Sequence, residues 1–142
     1  MNPTIEKFGF PSTLLKEFSH WVVLLRPAQV TLGSLVLAAK GGAKAYSELP
    51  RDAFAEQAEV VTAIERALAR FVSYERLNYL MLMMVDPHVH FHVIPRYSTP
   101  RAWSGIAFAD AGWPGPPRLD IAVKPDPQQL EALVAELAQS FG

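Results

Sequence analysis

The chain contains no cysteine. Disulfides, thiolate zinc sites and a cysteine nucleophile are therefore excluded. It also lacks an excess of either charge: 13 Lys and Arg stand against 14 Asp and Glu, a net charge of −1. No basic surplus exists to condense on nucleic acid, and no basic tail suits a membrane surface. Long apolar runs are missing too. Trp21–Leu25 is five residues and Tyr79–Val85 is seven, whereas a membrane helix needs about 20. Met1–Phe10 holds no apolar core of signal-peptide length. The expectation is a soluble, cytoplasmic protein with no nucleic-acid or membrane partner.

What is present suits one packed domain over residues 1–142. Half of the residues are hydrophobic and 19% are charged, too apolar for disorder and enough to fill a single core. The runs 21–25 and 34–39 read as adjacent buried strands, broken by Arg26-Pro27-Ala28 and closed by Gly41-Gly42. From Pro50 to Tyr74 the period changes. Phe54, Ala58, Val61, Ile64, Leu68, Phe71 and Val72 recur at helical spacing, which predicts an amphipathic helix with Pro50 as its first residue. Asn78–Val85 and His88–Ile94 read as a hairpin turned by Asp86-Pro87. Seven of the 12 prolines lie between Pro95 and Pro127, so 97–118 reads as an irregular flap. Asp126 then caps a last helix over 126–141.

Three of the four histidines fall within five residues: His88, His90 and His92. On a strand, alternate side chains share a face. The imidazoles would point one way and Val89, Phe91 and Val93 the other, and burying the apolar face fixes the register. Two chemistries fit such a row. Three imidazoles could bind a metal such as zinc with a water in the fourth position. Alternatively, one imidazole is a nucleophile and the others assist it.

The stretch His88-Val89-His90-Phe91-His92-Val93-Ile94 resembles the histidine triad motif, in which three histidines alternate with apolar residues. The similarity runs from about Phe18 to Tyr97 and includes Pro95-Arg96 after the motif. It implies an α+β fold, an antiparallel sheet of about five strands with one long helix and a C-terminal helix, commonly a homodimer. It further implies a nucleotide substrate: such proteins hydrolyse or transfer nucleoside monophosphate groups from dinucleoside polyphosphates, phosphoramidates or acyl nucleotides, with no bound metal or cofactor. By that resemblance His90 is the nucleophile, and the His88 backbone oxygen holds its second ring nitrogen. His92 meets the phosphate oxygens and leaving group, and the His88 side chain supports the far end. The sequence departs from the pattern at Ser34, where many such proteins carry a fourth histidine that could share protons with His88. It also departs at Asp86-Pro87, where a longer loop supplies donors, and near Arg26, where a ribose-binding acid or amide is absent.

Further candidates surround the motif. Asn78 lies on the preceding strand. Arg96 directly follows the motif and could reach phosphate or form a surface salt bridge. Arg101 and Trp103 lie in the flap, where they would form one side of the pocket by folding over the imidazole row. Ser34, Asn78, Arg96, Arg101 and Trp103 are thus the expected substrate contacts. His20 is weighed as a loop-carbonyl partner, and Met81, Met83 and Met84 as core filler. The competing functions are a nucleotide-binding module with little turnover and a three-histidine metal-dependent hydrolase.

Overall fold

The apolar runs of the sequence become neighbouring strands of one antiparallel sheet. A computed structural model describes residues 1–142. In chain order the elements are α1 (Pro3–Lys7), β1 (Leu14–Glu17), β2 (Trp21–Leu25), β3 (Leu35–Ala39), α2 (Arg51–Val72), β4 (Arg76–Leu80), β5 (His90–Arg96), β6 (Arg101–Trp103), β7 (Ile106–Phe108) and α3 (Pro127–Gln139). The main sheet has the order β1-β2-β3-β5-β4, and every neighbouring pair is antiparallel. No helix is long and apolar enough to cross a membrane.

Strand alternation divides the sheet into two unlike faces. Trp21, Val23, Leu25, Leu35, Leu37 and Val93 pack with Ile64 and Leu68 of α2 and Leu133 and Leu137 of α3 in the main core. Val22, Leu24, Val36 and Ala38 form a thinner layer on the other face, covered by Ile5 and Phe8 of the N-terminal segment. A five-residue helix is not stable alone. Its Ile5 is fully buried, worth about 1.5–3 kcal/mol, and Asn2 accepts from the Ile5 amide while donating to the Ala39 and Gly41 carbonyls. These contacts hold α1 on the sheet. At the β2–β3 connection, Gly33 takes φ +95° with Leu68 and Pro95 side-chain atoms 3.2 and 3.3 Å from where a Cβ would lie. Only glycine meets both conditions without strain.

Several boundaries differ from the sequence reading. Pro50 is the extended N-cap of α2, not its first helical residue. The buried stripe of α2 is Ala53, Val60, Ile64, Ala67, Leu68 and Val72, while Phe54 is exposed and instead packs its ring on Tyr46. The Met- and Leu-rich run leaves the sheet after Leu80, which pairs with His92. Residues 81–89 are therefore a loop, and Asp86-Pro87 is not a two-residue turn. The supposed irregular flap contains the β6–β7 hairpin, whose Phe108 is buried in the main core. The α1 helix and β1 had not been foreseen.

Candidate active site

Strand β5 begins at His90, and its even-numbered residues face away from the main core. His90 lies opposite Ala38 and His92 opposite Val36 on β3. The odd residues hold this register: Val93 is fully buried, and Phe91 packs against Trp21 and Tyr46. His90 and His92 are buried neighbours with ring centroids 5.2 Å apart. His88 corrects the expected row of three. It precedes the strand, and its Nδ1 shares a hydrogen bond with Thr4 Oγ1 at 3.0 Å. With the His88 ring turned to Thr4, the three imidazoles do not form a convergent metal-ligand set.

Hydrogen bonds assign the tautomers of the paired rings. His90 Nδ1 lies 2.7 Å from the His88 carbonyl oxygen. A carbonyl only accepts, so Nδ1 carries the hydrogen and, in the neutral ring, Nε2 carries the lone pair. Arg26 Nε donates to His92 Nδ1 at 3.4 Å, so His92 has the opposite tautomer and carries its hydrogen on Nε2. One ring thus offers a nucleophilic nitrogen and the next a hydrogen-bond donor. Burial, then the Arg26 charge, then His90 bring the His92 pKa down to about 4, against a smaller opposing pull from Asp86. The Arg26 guanidinium is itself lowered by desolvation.

A stability consequence follows from His92. Its pKa is 6.5 in the usual case and about 4 in the fold. Between these values the unfolded chain binds more protons, so acidification favours unfolding. The contribution is complete above pH 6.5 and is lost as pH falls toward 4. Urea midpoints should therefore drop across that window, and His92→Asn should flatten the slope. An unchanged slope in the variant would refute the low pKa.

The cleft beside these rings has a volume of about 350 Å³ and is lined by Lys7, Phe8, Arg26, His90, His92 and loop residues Leu82–Asp86. The Phe8 ring sits 5.7 Å from His90 and 5.8 Å from His92. Lys7 pairs with Asp86 at 2.9 Å, joining α1 to the loop. A neighbouring cavity of about 540 Å³ shares Lys7, Phe8 and Arg26 and adds Lys124. Met81 and Met83 pack on the main core as read, Met83 also lining the cleft; Met84, 85% exposed, is not core filler and lines the cleft.

The structure keeps the other expected substrate contacts away from this cleft. Ser34 is fully buried, donating to the Thr31 carbonyl and accepting from the Thr31 amide. It lies two residues before Val36, the β3 residue opposite His92, at the opposite end from His88, so the two cannot share protons. Arg96, four residues along β5 from His92 and hence about 13 Å away, is clamped by Asp110, Asn78 and the Gly115 carbonyl. Asn78 is occupied in that same network. Arg101 donates to the carbonyls of Val72 and Ser73 at the end of α2 and lies over the Tyr97 ring. Trp103 donates to Glu136 of α3 and packs on the main core. The β6–β7 part of the flap therefore folds onto the sheet face opposite the imidazoles, where Trp103, Ile106 and Phe108 pack on the main core, while Asp110 and Gly115 reach only the Arg96 end of β5. His20 lies at the β1–β2 turn, its amide donating to Glu56.

Arg96 is thus a structural cation, buried with Asp110 at 2.7 Å. Asp110→Asn removes the charge from this pair, which should cost about 2 kcal/mol of stability. Turnover should stay within about twofold at temperatures where the variant is folded, an expectation set by its separation from the imidazoles. Thermal melts and initial rates check the two halves.

Four residues around the imidazoles escaped the sequence reading. Thr4, Lys7 and Phe8 were signalled by Asn2-Pro3, a cap followed by proline at the first helical position. Arg26 was read as a strand breaker. Its reach to His92, 66 positions away, comes from the strand order and has no local signal.

Fold and cleft together define an α+β protein with a nucleophile-ready imidazole beside a donor imidazole and a guanidinium. The chain matches no family model and no curated protein. Its structure is similar to that of a histidine triad protein from Bradyrhizobium japonicum, with 17% identity, TM-score 0.75, and 100% of this chain and 97% of that one covered. A histidine triad protein from Sinorhizobium meliloti gives 18% identity, TM-score 0.76, and 99% and 95% coverage. A hypothetical histidine triad nucleotide-binding protein from Sulfolobus tokodaii gives 22% identity, TM-score 0.67, and 97% and 89% coverage. The chain has the histidine triad fold.

Proposed function

We propose that the cleft binds a nucleotide and that the protein is a nucleotide hydrolase or nucleotidyl transferase working through a covalent nucleotidyl-His90. The observation that carries this reading is the 2.7 Å hydrogen bond from His90 Nδ1 to the His88 carbonyl. It leaves Nε2 as the nucleophile without a separate base. Nε2 attacks the α-phosphorus, the bond from phosphorus to the leaving oxygen or nitrogen breaks, and the electron pair departs with the leaving group. His92 Nε2–H and the Arg26 guanidinium offer donors to the charge that builds on the phosphoryl oxygens. Water, or another acceptor hydroxyl, then attacks phosphorus. The phosphorus–nitrogen bond breaks, one water proton passes to solvent or leaving group, and His90 is restored with Nδ1 still protonated. A homodimer belongs to the same proposal: β4 occupies a sheet edge, and an edge needs a partner or cover.

The test offers diadenosine polyphosphates, adenosine phosphoramidate and an adenylate with an activated leaving group. Release of nucleoside monophosphate, with an acid-labile nucleotidyl adduct mapped to His90, is the expected result. Tight nucleotide binding with neither release nor adduct would instead identify a binding module. Light scattering at micromolar concentration decides the assembly.

A further inference from the structure

We infer that Thr4 is a positioning residue for this cleft: through the His88 side chain it sets the backbone carbonyl that holds His90 in its attacking tautomer. The inference rests on the nucleophilic reading of His90 but makes a claim about ring chemistry that can be read without turnover. The His88 carbonyl belongs to a residue outside the ladder, since β5 starts only at His90. The peptide plane that carries it has one main-chain support, the Val89 amide donating to Ala43 at 3.1 Å. On the other side of the plane stands His88 itself, preceded by Pro87, which has no amide hydrogen to give. What fixes that side is the imidazole, tied to Thr4 Oγ1 at 3.0 Å.

Thr4 is built for a fixed hold. It is 2% exposed, it lies in α1, and the neighbouring Asn2 fastens that helix to the end of β3 through the Ala39 and Gly41 carbonyls. The connection therefore runs from β3 to Asn2 by one hydrogen bond, along the α1 backbone to Thr4, from Thr4 to the His88 ring by a second, and from the His88 carbonyl to His90 Nδ1 by a third, each of the three 3.0 Å or less. Losing the Thr4 hydroxyl frees the His88 ring, lets its carbonyl tilt away, and weakens the preference for hydrogen on Nδ1. A His90 ring carrying its hydrogen on Nε2 cannot attack.

The test compares Thr4→Val, which keeps the shape and removes the hydroxyl, with Thr4→Ser, which keeps the hydroxyl. Nitrogen-15 NMR of the His90 ring gives the tautomer in the unliganded protein. Thr4→Val should show a mixture of tautomers, a kcat lower by about five- to tenfold, the size of one hydrogen bond, and little change in KM; Thr4→Ser should restore both readouts. The double variant Thr4→Val/His88→Ala should be no slower than His88→Ala, because the two act in series. An unaltered His90 tautomer in Thr4→Val overturns the inference, as does an additive double variant. If Thr4→Val does not fold, the His88→Ala tautomer decides, since an unshifted His90 there removes the proposed route. A parent protein that shows the tautomer but no turnover rejects the catalytic reading and leaves the Thr4 effect standing.

Discussion

A His90→Ala variant should lose at least about 10⁴-fold in kcat, the scale seen when a covalent nucleophile is removed. The change deletes the only ring whose Nε2 is left free by a hydrogen bond at Nδ1 to a main-chain carbonyl. It should not unfold the protein. His90 sits on the cleft face, and the register of β5 is held from the other side by Val93 and Phe91. The His88 carbonyl loses its donor, at about 1 kcal/mol. Nucleotide affinity should survive, since Arg26, Lys7 and His92 all remain. Calorimetric binding and rate measurements on the same preparation separate the two effects. Turnover near the parent level would place the nucleophile elsewhere.

Arg26→Met is expected to be the second most damaging change, lowering kcat/KM by roughly 100- to 1,000-fold, the range for losing one preorganised donor to a developing anion. It also alters a neighbour in a measurable way. Arg26 is the second cause, after burial, of the low His92 pKa. Without that charge the His92 pKa should rise above about 4 yet stay below 6.5, because burial persists. Arg26→Lys should restore part of the charge effect but little of the rate, as an ammonium does not reproduce the fork of a guanidinium. NMR titration of His92 in the three proteins checks the direction. A rate unaffected in Arg26→Met would remove the guanidinium from the phosphate site.

The strand carrying the site was legible because its two periodicities agree: Val93 and Phe91 demand a core on one side, which leaves His90 and His92 on the other. The α2 and α3 helices were legible from spacing, and Asp126 caps α3 as read, with Gln129 completing the cap. The hairpin forms as read, but its turn was judged too short because Met81–Val85 has the composition of a buried strand. Strand pairing outranked composition: β4 ends at Leu80, opposite His92. The charged residues were harder to place. Arg96 and Arg26 look alike in the sequence, yet one is neutralised by a carboxylate and the other donates to an imidazole. That difference arises from Asp110 and from the order β2-β3-β5, both set by the tertiary fold. The corrected loop also changes the chemistry expected of this cleft. Beside the longer loop, Arg26 and Lys7 line the cleft, cations that the sequence reading did not place there.

Strand β5 is hydrogen-bonded on both sides, to β3 and to β4, whereas the loop at 81–89 meets solvent through Met84 and Val85. His90 is the residue at which one regime gives way to the other. Opening the backbone at His92 requires two ladders to part, an event close to global unfolding; opening the loop requires neither. In hydrogen-exchange terms His92 stands on the slow side of a steep boundary, and the loop wall of the cleft stands on the fast side. A cleft divided in this way can keep its imidazoles fixed while its far wall adjusts to ligands of different bulk.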